Sequence, residues 1–283
     1  MPIRRANFGK PWYPSEARCC ESELANFERG AIRPDTSHPF RAAIVPHAAW
    51  VFSGQLAYEA IAALRETRVE TVVLFAGHLP PGNPATLMVD ASFETPLGEI
   101  AGDTELAQEI AAALPTARVE DVDNHSQDHA TEVTLPMLRA LLPSARLVHI
   151  GAPPEEEWVE RISEAVANAC QRRRREAVFI GSTDLTHYGP NYDFMPHGLG
   201  AEAERWARQH NDRAFIDAAL NGDHRTMVHH ALAKFSACCP GAAAAALRCA
   251  SLTAAPRPTL LRHRQSCELL PSESFVGYAS IVA

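Results

Sequence analysis

Three short apolar runs each lead into a side chain that can bind a metal or move a proton. That pairing restricts the fold more than any other feature of the chain. Ala42-Ala43-Ile44-Val45 leads into Pro46-His47, the run from Thr71 to Gly77 leads into His78, and Ala177-Val178-Phe179-Ile180-Gly181 leads to Asp184 and His187. Each run is rich in β-branched residues and bounded by turn or polar residues, as a buried strand is. Helical segments separate the runs. Strands alternating with helices predict an α/β fold with a mixed β-sheet core and helices on both faces. In open α/β sheets, chemistry gathers in the crevice beyond the carboxyl ends of the strands. Three strands that deliver His47, His78 and Asp184/His187 to that edge predict one site, built around a metal.

The remaining elements follow from local signals. Ser15 has the chemistry of an N-cap for a helix over about 15–29. A loop through Ser53-Gly54 precedes a helix reaching about Arg65. Residues 85–101 alternate enough to suggest an antiparallel excursion around Thr95-Pro96-Leu97-Gly98, and a helix is predicted near 103–114. Asn124 to Leu142 reads as a loop entering a helix. A strand over 146–150, a helix over 155–174 and a strand over 177–182 come next. A loop over 189–200 follows, then an almost entirely helical stretch over 201–252 and a closing strand over 274–282. No repeat or low-complexity linker interrupts the chain, so residues 1–283 are expected to form a single domain.

Composition excludes several classes. Hydrophobic residues make up 46% of the 283, enough for a large core near the upper size of one domain. No apolar run approaches the roughly 20 residues of a membrane span, and Met1-Pro2-Ile3-Arg4-Arg5 does not open a signal-type stretch. A soluble cytoplasmic protein with no membrane partner is expected. The formal charge of −8 disfavours nucleic acid, whose binding leans on Lys/Arg contacts to phosphate. The basic run Arg172 to Arg175 closes a predicted helix, where it complements the dipole. The seven cysteines are odd in number and include no CxxC, which points to reduced thiols. The sequence does not read out oligomeric state, and a homo-oligomer is compatible with it.

Taken singly, His47 is best explained as a loop histidine bonded to backbone. Jointly with His78, which follows the permissive Gly77, it makes a natural metal pair. His125, His129 and Glu132 stand at i, i+4, i+7 and share one face if helical. They can ligate a metal directly, orient its ligands and substrate, or simply cap a helix. Orientation is the preferred reading. Asp184 and His187 are spaced to form an Asp–His couple, which makes His187 the candidate general acid/base. Cys238-Cys239 precedes an alanine-rich helix, where the dipole favours a thiolate and a thiolate suits a transition metal. A buried structural cysteine competes with that reading. His197 and His229-His230 look like loop or helix-surface residues.

In order and spacing, these segments resemble the Memo family, related in fold to class III extradiol ring-cleavage dioxygenases. The resemblance runs through Trp12-Tyr13-Pro14, Pro46 to Trp50, Phe52 to Gly54, Thr95-Pro96-Leu97-Gly98, His125 to Pro136, Ser182 to Gly189 and Val276 to Ala279. It implies a metal site of two histidines and a cysteine at His47, His78 and Cys238. It also implies Asp184 and His187 lining the same pocket, His187 as acid/base, and Trp12 nearby. The chain departs from the family at Ala49-Trp50, where the family has Gly-Tyr, at Phe75-Ala76-Gly77, where it has Gly-Pro-Ser, and at Cys238-Cys239-Pro240, where it has Cys-Gly-Arg. The last change leaves Cys238 and Cys239 as alternative ligands, and Trp50 is expected to reshape the pocket.

Two histidines and one anionic ligand leave positions open for O2 and substrate, the logic of a facial triad. The leading expectation is therefore a mononuclear non-heme iron(II) oxygenase acting with O2 on a small redox-active organic substrate. In it His187, Asp184 and His125 do catalytic work, and His129, Trp12 and Trp50 contact substrate. The alternatives are a non-catalytic protein that holds iron or copper, favoured by the soft donor pair, and a zinc-dependent hydrolase.

Overall fold

The computed structural model describes residues 1–34, 39–66, 68–253 and 257–283. Its strands are β1 (Ile3–Arg4), β2 (Ala42–Val45), β3 (Thr71–Phe75), β4 (Thr86–Met88), β5 (Ser92–Phe93), β6 (Arg118–Glu120), β7 (Arg146–Gly151), β8 (Ala177–Ser182), β9 (His187–Tyr188), β10 (Thr259–Gln265) and β11 (Phe275–Val282). The helices are α1 (Ala17–Gly30), α2 (Trp50–Ala63), α3 (Thr104–Ala113), α4 (His129–Glu132), α5 (Leu135–Leu141), α6 (Glu156–Arg173), α7 (Ala201–Trp206), α8 (Asp212–Leu220), α9 (His224–Lys234) and α10 (Pro240–Leu252).

The main sheet runs β10-β11-β2-β8-β3-β7-β4-β6. Its centre, β2-β8-β3-β7, is parallel, and β11 and β4 flank it antiparallel. Strands buried on both faces read as continuous apolar runs, as β2, β3 and β8 do. Their alternate side chains feed two cores. Ile44, Phe75, Ile150 and Phe179 pack on one face with Ile110 of α3, Ile162 of α6, Phe215 of α8, Met227 of α9 and the alanines of α10. Val45, Leu74, Leu147 and Ile180 pack on the other with Phe27 of α1, Ile61 of α2 and Leu138 of α5. The expected mixed α/β architecture with helices on both faces is what the chain adopts.

Two elements carry the reason for their own geometry. Helix α6 has Glu156 and Glu157 in its first turn and Arg172 and Arg173 in its last, matching the macrodipole at both ends. Those arginines also pair with Glu105 and Glu109 of α3. Helix α10 begins with Pro240 and is built of small residues, so it lies directly on β8. A Cβ on Gly181 would sit 2.6 Å from both the Ala242 carbonyl oxygen and the Ala243 Cα. This close approach seats the start of α10, and the cysteines before it, at the carboxyl end of the sheet.

The structure revises several local expectations. Helix α1 starts at Ala17, and its N-cap Glu16 makes no side-chain cap bond. The Ser15 hydroxyl instead accepts the Lys10 N–H. Helix α2 starts at Trp50, before Ser53-Gly54. The stretch 201–252 breaks into four α-helices and a π-turn over Ala207–Asn211. One break follows Phe235, whose φ of 53° is left-handed. Strands β6 and β10 carried no clear signal. Each lies at an edge of the sheet, where one-sided burial leaves polar residues in the run.

Candidate metal centre

Strands β2, β8 and β3 are adjacent, so their carboxyl ends release His47, Thr183-Asp184 and His78 side by side. Pro46 turns the chain out of β2, and Gly77 leaves β3 at a φ of 118° that an L side chain resists. The break between α9 and α10 brings in Cys238. The Cys238 N–H donates to the Asp184 carbonyl at 3.2 Å, and the Asp184 N–H donates to Cys238 Sγ at 3.3 Å. The Thr183 hydroxyl donates to the Asp184 carbonyl and accepts the Cys239 N–H.

Each imidazole has one ring nitrogen tied down from behind. The Ser182 hydroxyl donates to the Ala130 carbonyl at 2.8 Å, so its oxygen must accept from His47 Nδ1, 2.9 Å away. His47 Nε2 faces Cys238 Sγ at 3.3 Å and donates to its thiolate, a proton that a bound metal would displace. The Asp128 carboxylate lies 3.0 Å from His78 Nδ1 and accepts the His78 backbone N–H at 2.6 Å. Its other role is the N-cap of α4, through Ala130 N–H. This carboxylate–histidine arrangement frees Nε2 for ligation. His129 completes a ring of three imidazoles, with centroids 4.9, 5.3 and 5.1 Å apart.

The charges support one another. Burial opposes ionisation of Cys238, yet the Cys239 thiol and the His47 and His78 imidazoles hold it well below the ordinary thiol range. Burial and the neighbouring Cys238 thiolate push Cys239 well above it. The two sulfurs therefore share one proton, with Cys239 as donor. Burial lowers His78, but Asp128 and Cys238 outweigh it and raise His78 to about 10. Burial, then the positive charge on His47 and His78, lowers His129 to about 4, leaving it neutral at pH 7. Burial raises Asp184, with His47 and His187 offsetting part of the effect.

The structure gathers His47, His78, Cys238 and His129, with Asp184 laced to His47. The Asp184 Oδ1 accepts the His47 N–H at 2.8 Å. Trp12 stacks on His129 at 4.0 Å, so both line the cluster. The expected Asp184–His187 couple is not the arrangement found. His187 Nδ1 donates to the Leu185 carbonyl at 3.0 Å, and the ring packs edge-on against Tyr192.

His125 and Trp50 are placed elsewhere. The Asp128 cap starts α4 at His129, so His125 lies in the preceding loop and does not share a helical face with His129. Both of its ring nitrogens are buried, without a protein partner among the described residues. Trp50 belongs to the core rather than the pocket. It is 3% exposed, packs on Phe27 and donates its indole N–H to the Val133 carbonyl. An indole cannot hydrogen-bond through anything else. Sequence reasoning missed Asp128, Ser182, Tyr192 and Asp212. The last, fully buried, accepts from the Thr186 N–H and hydroxyl and pairs with His263, which anchors the segment carrying His187. Nothing local in the sequence pairs these residues with their partners.

Six ligand-type side chains thus stand at the sheet edge. One ligand atom each from His47, His78, Cys238 and Cys239 lie within 4.8 Å of one another, and the same holds for His78, Asp128 and His129. Two imidazole nitrogens beside a thiolate, once a metal displaces their protons, form a donor set that fits a transition metal. The profile of the family described as "Memo-like protein" matches residues 4–282. The chain belongs to the Memo family. A MEMO1 family protein of Thermococcus onnurineus (strain NA1) is 33% identical over 287 residues, covering 96% of each chain. A MEMO1 family protein of Pyrococcus abyssi (strain GE5 / Orsay) is 32% identical over 295 residues, covering 99% of each. The crystal structure of an uncharacterized protein, JW3007, from Escherichia coli K12 shares the fold, with a TM-score of 0.50 at 15% identity over 86% of this chain and 99% of that one. Among the described residues of this Memo-family chain, no helix is long and apolar enough to cross a membrane.

Proposed function

We propose that this Memo-family chain is a mononuclear non-heme iron(II) oxygenase acting with O2 on a small redox-active organic substrate. The observation that carries the reading is the convergence of His47, His78 and the Cys238 thiolate beside His187, Asp184 and the Trp12–His129 stack. Fe(II) held by His47, His78 and Cys238 would supply coordination positions shared by substrate and O2 and a path for electrons between them. His187 acts as general base. Its Nδ1–H is committed to the Leu185 carbonyl, so Nε2 is the atom that takes a proton from a substrate hydroxyl or amine. Tyr192, edge-on at 4.9 Å, steadies that ring. His129, neutral at pH 7, offers substrate a hydrogen bond, and Trp12 offers a flat apolar wall.

The test is metal content after anaerobic purification, then spectroscopy of the nitric oxide adduct and O2 uptake with catechol and aminophenol substrates. Iron that binds nitric oxide and consumes O2, with uptake reduced in His187→Ala, is the expected result. Iron-loaded protein that consumes no O2 with any of these substrates overturns the reading. One observation favours a second reading, a centre that holds copper or zinc without turnover: Cys239 places a second sulfur beside the first, and paired soft donors suit such ions. Copper or zinc with no nitric oxide-reactive iron would select it.

A further inference from the structure

We infer that Cys239 is a fourth protein ligand to the same ion, so that the resting centre is a four-coordinate set of two imidazoles and two thiolates. This rests on the reading of His47, His78 and Cys238 as ligands and goes beyond it. In the family pattern glycine follows the cysteine, so the second sulfur belongs to this chain.

The geometry points to ligation by Cys239 in three ways. First, its Sγ lies within 4.8 Å of the ligand atoms of His47, His78 and Cys238, all four mutually so. Around a tetrahedral zinc-sized ion, with metal–sulfur bonds of about 2.3 Å and metal–nitrogen bonds of about 2.0 Å, ligand atoms stand roughly 3.3 to 3.8 Å apart. The Cys238 Sγ to His47 Nε2 separation is already 3.3 Å. Second, the cysteine backbone is held. Cys239 N–H donates to Thr183 Oγ1 at 3.0 Å, and Thr183 is itself bonded to Asp184. Pro240 then starts α10 against Gly181. Third, the other buried cysteines differ in surroundings. Cys249 directs its thiol at the Ser163 carbonyl, and among the described residues neither Cys20 nor Cys170 belongs to a cluster of metal-ligating side chains.

Ligation replaces the Cys239 S–H bond to Cys238 with a metal–sulfur bond and releases the shared proton to solvent. No electron moves in this step, so the ion keeps its oxidation state. The closed set favours ions content with tetrahedral thiolate coordination. Opening a position for an outside molecule then requires Cys239 to leave the ion.

Cobalt(II) is the probe, added anaerobically to wild type, Cys239→Ser, Cys239→Ala and Cys238→Ser. If Cys239 is a ligand, the near-ultraviolet sulfur-to-cobalt band falls to about half in both Cys239 variants, because one of two thiolates is lost. If Cys239 only donates a hydrogen bond to Cys238, Cys239→Ser keeps the full band, which overturns the inference. Zinc-edge X-ray absorption on wild type does not depend on any variant folding. Two sulfurs at about 2.3 Å support the fourth ligand, and one refutes it. Wild type that takes up neither cobalt nor zinc overturns the three-ligand reading and this one with it. One sulfur per ion leaves the three-ligand reading standing.

Discussion

Substituting Asp128 by asparagine isolates what the protein does for His78. The Asp128 carboxylate serves three donors: His78 Nδ1 at 3.0 Å, the His78 backbone N–H at 2.6 Å and the Ala130 backbone N–H at 2.9 Å. An asparagine side chain offers one carbonyl oxygen and turns an NH2 group toward at least one of them. Each orphaned donor costs about 1–3 kcal/mol. His78 also loses the anion that sets its tautomer and raises its basicity. Partners of this kind are worth roughly 10–100-fold in metal affinity, or about 1.4–2.8 kcal/mol. Asp128→Asn should therefore bind zinc 10- to 100-fold more weakly than wild type in chelator competition at pH 7.5, as estimated from the same range. Circular dichroism checks that the fold is kept. Glu132→Gln is the control. That carboxylate sits on the same helix but serves Asn7 N–H, Phe8 N–H and the Tyr13 hydroxyl, so its loss should lower stability and leave zinc affinity unchanged. A folded Asp128→Asn that holds zinc as tightly as wild type refutes the reasoning.

Three further outcomes are expected. Burial, then the charge on Arg4, lowers His149 to about 3 in the folded protein, against about 6.5 unfolded. The unfolded chain takes up the extra proton between those values, so stability falls as pH drops through that window. His149 alone accounts for about 2 kcal/mol between pH 7 and pH 5. Urea unfolding of His149→Gln should show a correspondingly smaller loss, and an equal loss would count against it. Gly181→Ala drives a methyl into Ala242 and Ala243. It should destabilise by about 1–3 kcal/mol and weaken metal binding through displaced Cys238, both readable by thermal unfolding with and without zinc. Asp212→Ala removes the buried partner of His263 and the acceptor of the Thr186 N–H and hydroxyl, costing about 3 kcal/mol. Faster amide exchange at Thr186 relative to β2 would show that the segment carrying His187 has loosened.

Most of the parallel core was legible because its signal is local. Buried strands such as β2, β3 and β8 are apolar on both faces, and the residue after each is visible in the chain. The edge strands β6 and β10 were not legible, because partial exposure mixes polar residues into their runs. Within the site, His47 and His78 stood out jointly as strand-end histidines, whereas Cys238 was placed in the ligand set only by the resemblance to the Memo family. The helical face that His125 and His129 would share does not form, because the Asp128 cap, and not the spacing, decides where that helix begins. Trp50 was misjudged because a tryptophan three residues after a site histidine can face either way, and α2 turns it into the core.

The sequence by itself determined that strands alternate with helices and that ligand-type residues follow the strand ends, since both are properties of short windows of chain. Tertiary structure alone decided which strands are neighbours and therefore which side chains meet. Cys238 meets His47 across 191 positions, and Asp128 meets His78 across 50. Pairings at such separations are set by sheet order and by the close seating of α10 on β8, and no local propensity encodes them. The same packing sets the protonation of the cluster, because burial and the nearness of opposite charges exist only once the chain has closed around them.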